Sequence, residues 1–297
     1  MDILIPSLPT PLTELKDEIV GHAGIRLFIK RDDLIHPTVS GNKWRKLKYN
    51  LNQAREENAS TLLTFGGAYS NHLYALAAAG NALGFKTIGI VRGEELAERL
   101  SPTLIFCKEQ GMNLQFVSRA EYKLRNDADC LKELSAKFDN PFIIPEGGTS
   151  ALALKGVAEM VPEVIEQLGQ APDYLTVAAG TGGTAAGLLS ADANVLAFSA
   201  LKGGAFLKED INALLNGEHS GDLQLFTDYH FGGYAKYDEQ LIAFMNEFKH
   251  EFNIQLEQVY TAKMFYGLFD LIKKGHFEKG KTIVAVHTGG LQGLLSS

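Results

Sequence analysis

The chain has 297 residues, 45% of them apolar and 21% charged, a composition that excludes disorder and fibre and suits one large or two ordinary globular domains. Its net charge of −7, with no basic run beyond the short interleaved stretch Lys43 to Lys48, argues against nucleic acid as a partner. No stretch approaches the roughly 18 apolar residues of a membrane span, and the start, Met1 to Pro6, has neither the basic nor the apolar region of a secretory leader. The two cysteines form no CxxC pattern and the eight histidines are scattered. The expectation is a cytoplasmic protein with free thiols, no membrane contact and no catalytic metal.

In chain order, the first clear element is a helix from Trp44 to about Glu56. Leu47, Leu51 and Ala54 lie on one face, and Arg45, Lys48, Gln53 and Arg55 on the other. Lys43 stands at its entrance. Thr61 to Phe65 reads as a buried strand running into Gly66-Gly67, followed by an Ala-rich helix from Asn71 to Leu83 with Gly84 at its C-cap. Thr87 to Val91 is the next strand. The pattern returns at Tyr174 to Ala179, a strand leading through Gly180-Thr181-Gly182-Gly183 into a helix from Thr184 to Ser190. Asn194 to Ser199 and Thr282 to His287 are further strands, and Asp238 to Phe252 is an amphipathic helix burying Leu241, Phe244, Met245 and Phe248. Strands alternating with helices specify an α/β fold with parallel pairing.

Three segments carry chemistry. At Gly180 to Thr184 a strand ends and a helix begins, so free backbone N–H groups converge, glycines permit close approach, and Thr181 and Thr184 add hydroxyls. This suits a phosphate, although an empty tight turn has the same signature. The spacing G-x-G-G-x-x-x-G is a poor dinucleotide fingerprint, and no Lys-Ser/Thr pair follows to make a P-loop. Gly66 to His72 is a second strand-to-helix loop, where Ser70 and Asn71 could receive a carboxylate or simply cap the helix. The third segment is Ser40-Gly41-Asn42-Lys43. A lysine is usually a solvated charge, and one that condenses with an aldehyde needs a depressed pKa and a nearby electrophile.

Taken together, Arg31-Asp32-Asp33-Leu34 and Ser40 to Leu47, then Gly66 to His72, Ile144 to Gly148, Gly180 to Thr184, Gly233-Tyr234, Val259 to Met264 and His287 to Gly290 resemble, in order, the motifs of a family of pyridoxal 5′-phosphate (PLP) enzymes. The family is that of 1-aminocyclopropane-1-carboxylate (ACC) deaminase and D-cysteine desulfhydrase, within the tryptophan-synthase-β-like fold type II. The resemblance implies PLP as cofactor, with Lys43 as its Schiff-base lysine. It implies that Gly180, Thr181, Gly182, Gly183 and Thr184 hold the phosphate, that Asn71 bonds the ring hydroxyl, and that Thr288 partners the pyridine nitrogen. Ser70 and the N–H groups of Asn71 and His72 correspond to the substrate carboxylate site, with Ser70 active in proton transfer. Tyr234 and Tyr260 correspond to two active-site tyrosines. The chain has Ser40 where the family more often has glycine, and the segment Asp228 to Lys236 is compressed. Also implied are a homodimer and two unequal α/β domains with the cofactor in the cleft between them: a small one of residues 46–145 and a large PLP-binding one of residues 1–45 and 146–297.

Two positions bear on the substrate, which is expected to be a small amino acid. ACC deaminases typically have glutamine where this chain has His72, and glutamate where it has Thr261; both positions are similar to D-cysteine desulfhydrase. A carboxylate near the pyridine nitrogen makes the ring a stronger electron sink, and a threonine does not. Expelling a β-thiolate is easier than opening a cyclopropane. The expected reaction is therefore β-elimination, with pyruvate, ammonia and sulfide as products and Lys43 as the leading base. ACC deamination is the second reading. A β-replacing synthase, a racemase and a non-catalytic nucleotide-binding module on Gly180 to Thr184 are further alternatives.

Overall fold

The strands of this protein are near-continuous apolar runs because helices cover both faces of each sheet. The computed structural model describes residues 4–217 and 219–294. Its strands are β1 (Leu12–Glu14), β2 (Arg26–Lys30), β3 (Thr61–Gly66), β4 (Lys86–Arg92), β5 (Asn113–Val117), β6 (Phe142–Ile144), β7 (Tyr174–Ala179), β8 (Val195–Ser199), β9 (Leu223–Phe226) and β10 (Thr282–Val286). The larger sheet has the order β1-β2-β10-β7-β8-β9 and the smaller β5-β4-β3-β6. Every pairing is parallel except β1 with β2.

Period-two alternation divides each strand between two cores. From the larger sheet, Leu27, Ile29, Leu196, Phe198, Ile283 and Ala285 face the helices Glu239–Phe252 and Thr261–Lys273. Phe28, Val177, Val195, Ala197, Val284 and Val286 face the helices Met160–Leu168, Gly183–Leu189 and Leu207–Leu215. In the smaller sheet Leu62 packs with Trp44, Leu47 and Leu51, while its neighbour Leu63 packs with Ile88, Ile90 and Tyr122 on the other face.

The helix expected from Trp44 begins at Asn42 and ends at Glu56 as read, so Lys43 lies in its first turn. Its polar face needs a correction: Arg45, read as solvent-facing, is wholly buried, and so is Lys46. Two things cover Arg45. A β-carbon on Gly156 would stand 2.0 Å from the Arg45 carbonyl, so only glycine lets the helix Ala151–Ala158 approach this closely. The guanidinium itself bonds the Asp32 carboxylate through Nε (2.7 Å) and Nη2 (2.8 Å), and Nη2 also reaches Glu163 (3.0 Å). Lys30, buried as well, donates to Glu163 (2.5 Å) and to the Thr10 carbonyl (2.7 Å). Two cations and two anions thus neutralise one another beneath the entrance of the Lys43 helix. Among the described residues no helix is long and apolar enough to cross a membrane.

Candidate active site

Ligands in open α/β sheets gather outside the carboxyl ends of the strands, and here the carboxyl ends of both sheets open onto one cavity of about 580 Å³. Its walls include Gly67 and Ser70 after β3, Arg92 at the end of β4, Glu146 after β6, Gly180 to Thr184 after β7 and Thr288 after β10. Lys43 enters from the helix Asn42–Glu56.

Gly41 explains how Lys43 gets there. Its φ of 62° and ψ of −148° suit only glycine, and a β-carbon would lie 1.8 Å from the Thr288 carbonyl oxygen. The strand end carrying Thr288 and the turn before Lys43 are therefore pressed backbone to backbone. His287 fixes the other side of that strand end. Its Nε2–H donates to the Gln255 carbonyl (2.7 Å) and its Nδ1 accepts from Gly289 N–H (3.2 Å), which makes it a neutral, satisfied core histidine. Asn42 then joins two of the segments picked out from sequence. Its Oδ1 accepts from Lys43 Nζ (3.0 Å) and its Nδ2 donates to Thr184 Oγ1 (2.7 Å).

Lys43 is open to the cavity but deep below the protein surface, and this burial pulls its pKa down to about 8, against the opposing field of Glu257. The neutral amine is thus far more accessible near physiological pH than in a free lysine. Burial, reinforced by the Lys43 charge, drops Lys46 well below its ordinary value. Sequence reading missed Lys46. Its Nζ reaches the Gly147 carbonyl (3.2 Å) and Thr149 Oγ1 (3.3 Å), and Thr149 Oγ1 is 2.7 Å from Thr181 Oγ1. A β-carbon on Gly183 would come within 2.9 Å of Lys46 Nζ and 2.6 Å of Thr149 Oγ1. The glycine loop is thus a cradle that a side chain would fill, ringed by the Lys46 amine, three threonine hydroxyls and backbone N–H groups.

Ser70 caps the helix Asn71–Leu83, its oxygen accepting from Leu73 N–H (3.2 Å), and it lines the cavity as well. Capping occupies the oxygen as acceptor and leaves the hydroxyl proton free. Asn71 receives the Gln292 amide on its Oδ1 (2.6 Å), and Gly290, lacking a β-carbon, gives its NH2 room. The His72 imidazole points inward. Thr64 Oγ1 spends its proton on the Ile144 carbonyl (2.7 Å), so His72 Nε2, 2.8 Å from that oxygen, must be the donor. Its Nδ1 is left as a buried acceptor without a partner, and burial with the two nearby lysine charges keeps the ring neutral.

Tyr234 and Tyr260 meet edge to face with ring centroids 6.1 Å apart, both half-buried and both on the cavity wall. Tyr260 packs over Gly180, where a β-carbon would lie 3.0 Å from its ring. Burial raises both phenols above their ordinary pKa, so at neutral pH each keeps its proton. Thr261 lines no part of the cavity: its Oγ1 accepts from the Glu257 N–H (3.0 Å). The neutral side chain that does face the cavity is Thr288. Glu257, also missed from sequence, is buried behind the site. Its carboxylate accepts from the N–H groups of Val259 (2.7 Å), Tyr260 (2.8 Å) and Thr261 (2.6 Å), and burial raises its pKa. The carboxylates lining the cavity are Glu146, tied to Tyr122 (2.7 Å) and Arg125 (2.6 Å), and Asp210 beside the glycine loop.

An amine of lowered pKa, set one asparagine away from a glycine cradle at the carboxyl ends of two largely parallel sheets, defines an α/β enzyme built to fix an anionic carbonyl compound. Residues 4–289 match the model of the family described as pyridoxal-phosphate dependent enzyme, and the chain belongs to that family, with PLP as its cofactor. It is 34% identical to the bifunctional D-cysteine desulfhydrase/1-aminocyclopropane-1-carboxylate deaminase of Arabidopsis thaliana, covering 97% of this chain and 77% of that protein. It is 30% identical to D-cysteine desulfhydrase of Klebsiella pneumoniae, covering 97% and 93%. Among solved structures, an ACC deaminase homologue superposes with a TM-score of 0.82 at 32% identity, covering 98% of this chain and 91% of that one. The mixed α/β fold type II architecture is thereby established, and a nucleotide-binding module without catalysis is excluded. The cavity fits the cofactor on its own evidence: two lysines of lowered pKa that no carboxylate among the described residues contacts, and a glycine cradle that a β-carbon would fill.

Proposed function

We propose that this chain is a lyase or deaminase that breaks down a small amino acid by β-elimination, with D-cysteine as the preferred substrate and ACC second. The observation that carries the reading is the Asn42 bridge, which sets the Lys43 amine against Thr184 of the phosphate cradle through bonds of 3.0 and 2.7 Å. PLP would be held by Lys43, Lys46, Asn71, Gly180 to Thr184 and Thr288, and when bound it supplies an electron sink for charge developing at the amino acid's α-carbon.

The chain's own groups account for the rest. Ser70 and the N–H groups of Asn71 and His72 receive the substrate carboxylate at the start of their helix, which fixes how the α-carbon is presented. Lys43, neutral in a useful fraction at physiological pH, takes the α-proton. Tyr234 and Tyr260, held protonated by burial, supply the proton that a departing thiolate needs. Thr288, on the cavity wall at the end of β10, would offer the ring nitrogen a neutral hydroxyl. With Thr261 turned away from the cavity, the argument for thiol elimination over ring opening rests on Thr288 as the neutral partner of the ring nitrogen. The same reading places the site between a small domain of residues 46–145 and a large one made from both ends of the chain.

The test is a product screen of the purified holoenzyme against D-cysteine, L-cysteine, D-serine and ACC. Pyruvate and sulfide should form from D-cysteine faster than 2-oxobutyrate forms from ACC. A clear preference for ACC would overturn the assignment.

A further inference from the structure

Lys263 is 1% exposed and takes no part in the reaction just described. It lies in the first turn of the helix Thr261–Lys273, three residues after Tyr260. Its ammonium donates to two backbone carbonyls, those of His230 (2.9 Å) and Gly233 (2.7 Å). Among the described residues no carboxylate lies within ion-pair distance of it. A charge buried this fully must be hydrogen-bonded to persist, and here both of its bonds go to one short segment.

That segment carries Tyr234. Its backbone turns through the left-handed region at Phe231 (φ 50°), Gly232 (φ 88°), Gly233 (φ 117°) and Ala235 (φ 56°), a conformation two of these four side chains disfavour. Its own backbone bonds are few: Gly233 N–H to the His230 carbonyl (2.9 Å) and Lys236 N–H to the Gly233 carbonyl (3.1 Å). Lys263 binds those same two carbonyls. Strained conformations persist only where the surroundings over-determine them; Phe231 meets Tyr266 edge to face and Gly232 N–H bonds His230 Nδ1 (2.9 Å), and Lys263 adds the two bonds to a charged donor. Tyr260 is fixed by a matching device of opposite charge, since the Glu257 carboxylate accepts its backbone N–H.

We propose that Lys263 is a positioning residue that holds the segment 230–235 so that Tyr234 meets Tyr260 over the glycine loop. The proposal rests on the role given above to Tyr234. Its test combines Lys263→Met, Lys263→Gln and Tyr234→Phe in the holoenzyme, singly and as the Met/Phe double variant, with two readouts. In Lys263→Met, amide hydrogen exchange in residues 230–236 should rise about tenfold or more while the larger sheet stays protected, because two bonds to a charged donor are lost. Lys263→Gln keeps one donor and should show an intermediate rise. In turnover, Tyr234→Phe should lower kcat by about 10²-fold, the usual scale of a lost acid, with KM little changed. Lys263→Met should match it, and the double variant should be no worse than Tyr234→Phe alone. Unchanged exchange in both Lys263 variants, or losses that multiply in the double variant, would overturn the proposal. Full turnover by Tyr234→Phe would instead remove the role of Tyr234, and the proposal with it, a result distinct from either.

Discussion

Lys43→Ala is expected to reduce turnover by about 10³-fold or more, because it removes the cofactor's attachment and the leading base in one change. The substitution itself is mild for the fold. It lies in the first turn of a helix, alanine is a strong helix former, and among the described residues the ammonium it deletes is bonded only to the neighbouring Asn42. Thermal stability of the cofactor-free protein should therefore hold or rise, since a buried charge of lowered pKa is relieved. Turnover with excess cofactor, set beside thermal unfolding of the cofactor-free form, separates the two effects. Activity within tenfold of the unaltered enzyme would mean that another group does the work assigned to Lys43.

Asp32→Ala is the second large effect, and it acts on the fold. Burial alone would pull the Arg45 guanidinium down, and the Asp32 carboxylate beside it more than reverses that, so the pair exists only as a pair. Removing Asp32 leaves Arg45 buried against Glu163, which already serves Lys30, and takes from the Thr10 hydroxyl the nearer of its two acceptors. Breaking a buried pair from one side costs about 3–5 kcal/mol, which for a chain of this size lowers Tm by on the order of 10 °C. Arg45 lies two residues beyond Lys43, so cofactor affinity should fall as well. Glu159→Gln is the control. Its ion pair with Lys48 is about one-third exposed on both sides, and such pairs contribute about 0–1 kcal/mol. Equal losses in the two variants, by denaturant and thermal unfolding, would contradict the claim that the buried network anchors the Lys43 helix.

Five parallel strands, β3, β4, β7, β8 and β10, were legible as short apolar runs, three of them stopped within three residues by glycine pairs, whereas β2, β5, β6 and β9, shorter or interrupted by polar residues, were not. Tyr174 to Ala179 is a strand over the residues read, and Gly84 has the left-handed C-cap conformation expected of it. The candidate side chains from Lys43 to Thr288 line one cavity, since their motifs sit at strand ends and strand ends converge. The burial of Arg45 was not legible. In an amphipathic pattern an arginine reads as solvated, and its partners Asp32 and Glu163 lie 13 and 118 positions away, one on each side of it in the chain. Lys46 was hidden in the same way by the basic run around it. Lys263 offered a faint signal, lying inside the segment Val259 to Met264 already singled out, and Glu257 stands two residues before that segment. Even so, which way each side chain turns depends on contacts made by the 230–233 loop and by Thr261, and no periodicity encodes those.

The central claim is that Lys43, and not the more deeply buried Lys46 one turn along, carries the cofactor. Borohydride reduction of the yellow holoenzyme, proteolysis and mass mapping of the phosphopyridoxyl group test it directly. The account predicts one such group per chain, on Lys43; a label on Lys46 or any other lysine, or no label after reconstitution, would contradict it.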